Sequence, residues 1–318
     1  VSEVRPTPYE RARDAAAPWS PAYGLARTLL ALATAGTLAL TTTSKLFSPA
    51  VGQPDPPTCR RITRAGLFCL ARSHLHVAQL AAVVVLLVVA SGWRPRWTAL
   101  PHWWLTWSVI VGVTLQDGGD QAAAVLTLLL LPVALLDRRR WHWNAPRETL
   151  GERPGARSVA TLFLWIVRIQ VAFIYLHSSV AKLGQPDWVD GTAMYYWYRD
   201  RIFGFPHFAL PVAQRFFGSA LGTVAMTWGV IVLEASLAVA GLFGSRWVRR
   251  RLLVAGILLH AGIGVFLGLG SFAMTMTAAL VLLLVRPDEL RLPPLRRRAA
   301  APADAVPGRA DALAEAAG

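Results

Sequence analysis

Long apolar stretches alternate with short polar ones along most of this chain. Eight segments are apolar over roughly the 20 residues that cross a bilayer. They lie at about 23–41, 75–92, 97–115, 121–137, 158–178, 221–243, 250–268 and 270–286. The fourth and eighth are short, and only Gly-Leu-Gly-Ser (268–271) divides the last two. A further stretch, 192–206, alternates aromatic with polar residues. It is too polar to span and predicts an amphipathic helix lying in the membrane interface. The pattern therefore predicts an all-α polytopic membrane bundle of about eight transmembrane helices with an interfacial amphipathic segment. Residues 1–22 are expected to form a cytoplasmic N-terminal segment, 23–286 the transmembrane domain, and 287–318 a disordered cytoplasmic tail, basic at first and then Ala-rich with acidic residues. No apolar signal-peptide core precedes residue 23, so the first span is expected to direct insertion.

Composition strengthens this reading. Of the residues 54% are hydrophobic and 16% charged, against about a quarter charged in soluble domains. The net charge of +14 does not indicate nucleic acid, because the basic residues cluster between apolar segments rather than along one polar face. That clustering sets an orientation. Arg94 and Arg96, the run Arg138 to Arg140 with Arg147, Arg153 and Arg157, the group Arg246 and Arg249 to Arg251, and the C-terminal arginines fall on one side of an eight-helix arrangement. The connections at 116–120 and 268–271 carry no Lys or Arg and fall on the other. Both termini are thus expected in the cytoplasm of a bacterial plasma-membrane protein. The long 42–74 connection is outside yet holds Lys45, Arg60, Arg61, Arg64 and Arg72. It also holds Cys59 and Cys69, where a disulfide can persist. These two are expected to be bonded to each other.

Ionisable groups inside spans are costly and mark candidate sites. On the fifth span, at about 100° per residue, Arg168, Ala172, Tyr175, Ser179 and Lys182 form one stripe, with Gln170 and His177 nearly opposite. Glu234 in the sixth span is the candidate carboxylate for Arg168. It is also at the same depth as His260 in the seventh, each 13 residues from the turn centred near 247, so the two could pair if their faces agree. Asp117, Gly118, Gly119 and Asp120 read as a tight turn and helix cap. Two aspartates are too few ligands for a metal, so no metal site is predicted. Arg27 in the first span is expected to snorkel or pair. Tryptophans near span ends read as an aromatic belt.

Lys182 ends its span and is followed by Gly184, Pro186, Asp187, Trp188 and Asp190. Glycine and proline break the helix, so the next residues fold back over its end. A lysine roofed in this way is a candidate base or nucleophile, with His177 five residues before it.

The run "FIYLHSSVAKLGQPDWVDGTAM" resembles the HTTM superfamily, the membrane domain shared with vitamin K-dependent gamma-carboxylase. In that family a span ends in Lys-Leu followed by Asp-Trp-Val-acid-Gly. By this resemblance Lys182 corresponds to the catalytic base, with Glu234, His260 and Gly270-Ser271-Phe272 matching further on. His177 joins these as a candidate catalytic residue; Arg168, Gln170, Tyr175, Asp187, Trp188 and Asp190 are candidate substrate contacts. "YGLARTLLAL", "LFSPAVGQPDPPTC", "VASGWRPRW", "DGGDQ" and "DRRRWHW" resemble the narrower sporulation-delaying protein B family, over about residues 20–286. That family implies maturation of a small secreted peptide toxin, with a peptide precursor, companion maturation proteins and the lipid bilayer as partners. The carboxylase implies a quinol-dependent enzyme with reduced menaquinone as cofactor; no counterpart of its large lumenal region is expected after the last span. A transporter or immunity protein without catalysis is the third reading.

Overall fold

The computed structural model describes residues 18–49, 52, 55–114, 116–144, 153–201 and 204–287. The expected N-terminal segment up to residue 17, and the expected tail beyond residue 287, lie outside them. Among the described residues the long elements are eight helices, and no strand forms. They are α1 (Pro21–Leu40), α2 (Leu75–Ser91), α3 (Pro95–Gly112), α4 (Gly118–Leu136), α5 (Pro154–Leu183), α6 (Ala220–Phe243), α7 (Arg246–Phe266) and α8 (Gly270–Leu284).

Local chemistry fixes the starts. Proline opens α1, α3 and α5, where its missing N–H costs nothing and its fixed φ is already helical. Ser20, Ser219 and Ser245 cap α1, α6 and α7 by accepting the N–H of Tyr23, Gly222 and Val248. The Asp-Gly-Gly-Asp run is a reciprocal capping box at α4: Asp120 N donates to Asp117 Oδ1 at 2.9 Å, and Asp117 N to Asp120 Oδ2 at 3.3 Å.

All eight predicted segments are helical, yet only five meet length and apolarity together: α1, α2 with its preceding turn, α4, α5 and α6. The others fall short for separate reasons. Helix α3 contains Pro101 and several tryptophans, and α7 opens with Arg246, Arg249, Arg250 and Arg251. Helix α8 has 15 residues, or about 22 Å at 1.5 Å per residue, against a hydrocarbon core of about 30 Å. This short helix is nevertheless the centre of the bundle. Every residue from Ala278 to Leu284 is buried, because α1, α4, α5 and α7 surround it. A helix that is apolar all round suits such a place.

The connections gather at two ends. At one, Thr114 N donates to Leu46 O at 2.9 Å, and Ser271 Oγ to Asp117 Oδ2 at 3.3 Å. Gly119 lies so close to α8 that a Cβ there would stand 2.6 Å from Phe272 Cα. At this end too, a disulfide joins Cys59 to Cys69. At the other end, the α2–α3 turn docks on the segment after α4: Arg94 N donates to Arg140 O at 2.8 Å and His142 N to Gly92 O at 3.0 Å. Gly92 is left-handed (φ 85°), and a Cβ on it would meet the His142 ring at 2.4 Å. His142, within the tryptophan-rich run expected to form only a belt, is a packed residue.

The expected interfacial helix at 192–206 is not continuous. Residues Ala193–Trp197 make a short helix, turns follow, and a second helix forms at Leu210–Phe217. The first helix ends at Trp197, well before Gly204 and Pro206. Tyr198, Ala213 and Phe217 form a small buried cluster of their own.

Candidate functional site

Lys182 lies in the last turn of α5, and Gly184 ends the helix, its N–H returning to Ala181 O. The chain then folds into the short helix Pro186–Val189, which places the Trp188 ring 5.2 Å from Lys182 Nζ. From α6, Glu234 approaches the same ammonium: Nζ is 2.7 Å from Oε2 and 2.9 Å from Oε1. Ser178, one turn before the lysine, completes the group. Lys182 Nζ donates to Ser178 Oγ at 2.7 Å, and Ser178 Oγ donates to Glu234 Oε1 at 3.2 Å. Ser179 Oγ donates to Ile231 O at 3.2 Å and locks α5 to α6 beside the site.

The Lys182–Glu234–Ser178 group lies on the wall of a cavity of about 1070 Å³ between α5, α6, α7 and the segment 185–217. Most of the wall is apolar, with aromatic rings such as Phe173, Trp197, Phe205, Phe217 and Phe272 among aliphatic side chains. Gln170 and His177 line it as well. The covering segment is pinned on two sides. Met194 N donates to Thr227 Oγ1 of α6 at 3.3 Å, and Phe205 stacks on Phe266 of α7 with centroids 4.9 Å apart.

The remaining sequence candidates separate. Tyr175 is buried and its hydroxyl is 2.8 Å from His260 Nε2; the edge of His260 meets Phe272. Glu234 thus faces Lys182 rather than His260: equal depth brought the two helices level, but their faces differ. Nor does Glu234 reach Arg168, whose Nε donates to Leu282 O at 3.3 Å and whose guanidinium lies over Trp165. Asp187 and Asp190 are exposed, and no ion pair joins either to Lys182 among the described residues. Asp187 instead closes the turn, its carbonyl accepting Thr192 N at 2.8 Å. Arg27 is buried and bonds Thr98 Oγ1 rather than snorkelling. Ser178 escaped the sequence reading, although its four-residue spacing from Lys182 places the two side chains together on a helix.

No cluster of three or more metal-ligating side chains forms among the described residues. A largely buried lysine–carboxylate pair on the wall of an apolar cavity, within a bundle of long apolar helices, marks a helical membrane protein with a polar site. Comparison with known families adds the kinship: the HTTM domain matches residues 24–288, and the chain belongs to that family. It is 37% identical over 274 residues to the uncharacterized protein YitO of Bacillus subtilis (strain 168), covering 85% of this chain and 87% of that protein. It is 35% identical over 270 residues to the sporulation-delaying protein SdpB of the same organism, covering 84% of this chain and 82% of that one. No solved structure matches the chain.

Proposed function

We propose that this protein acts in the maturation of a small exported peptide, and that Lys182, Glu234 and Ser178 are its working group. The observation that carries this reading is the placement of a bonded Lys–Glu pair at the wall of a large, mainly apolar cavity. Paired charges so placed cost desolvation energy and are weak devices for stability alone. Transfer of one proton from the lysine Nζ to the carboxylate along the 2.7 Å contact leaves an amine and a carboxylic acid, both neutral. The amine then serves as base or nucleophile toward a group in the cavity, and the acid holds the proton for return. Kinship to the sporulation-delaying protein SdpB supports an exported peptide as the object of this chemistry, with companion maturation proteins beside it. The test is the mass spectrum of exported peptides from cells with and without the gene. A peptide whose mass or yield is unchanged by deletion contradicts the proposal.

A quinol-dependent reaction is the second reading, favoured by the aromatic lining. The residues fit reduced menaquinone: aromatic and aliphatic walls suit its ring and chain, and Lys182 is the base beside them. When bound, such a cofactor supplies electrons and an acidic ring hydroxyl. Quinol consumption by the purified protein separates this reading from the first.

The Lys182 end of the bundle is proposed to face outside, both termini being cytoplasmic, in a bacterial plasma membrane crossed eight times. The basic residues at 94, 138–140 and 246–251 carry this orientation. Single cysteines at positions 117 and 187 should react with a membrane-impermeant reagent on intact cells, and one at 140 should not. The opposite pattern reverses the orientation.

A further inference from the structure

At the other end of the bundle, away from Lys182, polar side chains from three elements converge. Tyr23 and Arg27 lie one turn apart on α1, Thr98 and His102 one turn apart on α3, and His142 follows α4. Their exposures are 2% for Tyr23, 1% for Arg27, 3% for His102 and 0% for His142. Arg27 Nη2 donates to Thr98 Oγ1 at 2.6 Å. Four buried atoms in this group have no hydrogen-bond partner: Tyr23 OH, Arg27 Nη1, His102 Nε2 and His142 Nδ1. One such atom is a small imperfection; four on neighbouring side chains call for a common explanation, such as a bound ion or ordered water.

Charge points to an anion. Among the described residues no carboxylate pairs with Arg27. The carboxylate whose field reaches it is Asp137, and Asp137 already holds Arg139 through both oxygens, at 2.9 and 2.8 Å. Two guanidiniums therefore face one carboxylate, and a wholly buried cation lacks its counter-charge, an arrangement of high cost.

The hydrogen-bond inventory narrows the anion. Thr28 Oγ1 donates to Ala90 O at 2.7 Å, so its 3.2 Å contact with His142 Nε2 requires that nitrogen to carry the proton. Burial, then the charges of Arg27 and Arg139, push the His142 pKa down to about 3, so the ring is neutral. His142 Nδ1 is then an acceptor. Arg27 Nη1 and the Tyr23 hydroxyl are donors. A ligand meeting all three must accept hydrogen bonds, donate one, and carry negative charge. Chloride and nitrate cannot donate.

We propose that Tyr23, Arg27, His102 and His142 form a second ligand site, for a small oxyanion that retains a hydroxyl, such as hydrogencarbonate or hydrogenphosphate. Arg27 and Tyr23 hold its oxygens, and its hydroxyl donates to His142 Nδ1. His102, whose Nε2 is also without a partner, completes the shell.

The test uses the full chain purified in detergent, with thermal unfolding followed in hydrogencarbonate, phosphate, chloride and nitrate at matched ionic strength and one fixed pH. A saturable rise in Tm of about 3 °C or more is expected with hydrogencarbonate or phosphate and not with chloride or nitrate; which of the two acts identifies the ligand. The rise should vanish in Arg27→Gln. Should that variant fail to fold, Tyr23→Phe removes only the hydroxyl and should weaken the response at least about fivefold in concentration, the loss of about one hydrogen bond. An equal response to chloride, a response unchanged in Tyr23→Phe, or no response to any anion, in which case water fills the cluster, overturns the proposal.

Discussion

Glu234→Leu is expected to destabilise the protein by about 2–4 kcal/mol and to abolish its activity. The carboxylate accepts two bonds from the Lys182 ammonium and one from Ser178. Removing one member of a buried ion pair leaves the other charged and poorly solvated, at a usual cost of about 3–5 kcal/mol. The lower figure applies because the lysine side chain is 18% exposed and keeps Ser178 and the Trp188 face. The double variant Lys182→Met with Glu234→Leu removes both charges and should recover most of the stability, since an apolar pair of similar volume replaces a buried salt bridge at little cost. It should recover none of the activity. Thermal unfolding of the two variants beside the wild type checks the first part. A double variant no more stable than Glu234→Leu would show that the cost lies in packing rather than in the stranded charge.

Gly119→Ala is the second large effect, and Gly118→Ala is its control. A Cβ on Gly119 stands 2.6 Å from the Phe272 Cα, a backbone atom that cannot turn aside, whereas one on Gly118 meets only the Phe272 ring edge at 3.6 Å. The first substitution must push the start of α8 away from α4; overpacking of this kind costs about 1–3 kcal/mol. The second should be close to neutral. Displacement of Phe272 also reaches the site, because that ring lines the cavity and packs on His260. Gly119→Ala should therefore lower both Tm and activity. Equal Tm values for the two variants would contradict the close approach of these helices.

Much of this was legible in the chain. The helix positions follow from the spacing of apolar stretches, and the capping box from Asp117 and Asp120. Lys182 stood out because a lysine at the end of an apolar helix, followed by Gly184 and Pro186, has an unusual setting. Its partner was not legible. Counting from the α6–α7 turn places Glu234 and His260 at one depth, but which face each presents depends on packing against α5. That packing gave Glu234 to Lys182 and His260 to Tyr175. The central place of α8 was hidden for a related reason, since a helix apolar all round suits either lipid or a protein interior. The continuous interfacial helix at 192–206 does not form: the chain turns after Trp197, where aromatic alternation carries no stop signal. The cluster around Arg27 joins residues 23, 98 and 142, whose proximity no local pattern records.

The most direct test of the central claim is the exported-peptide mass spectrum from cells carrying Lys182→Arg in place of the wild type, at equal membrane abundance. Arginine keeps the charge, can pair with Glu234, and cannot give up its proton at accessible pH. If Lys182 works as a base or nucleophile, mature peptide should fall by about 100-fold or more while the protein inserts and accumulates normally. Mature peptide at the wild-type level in these cells would contradict the account and leave Lys182 a structural charge.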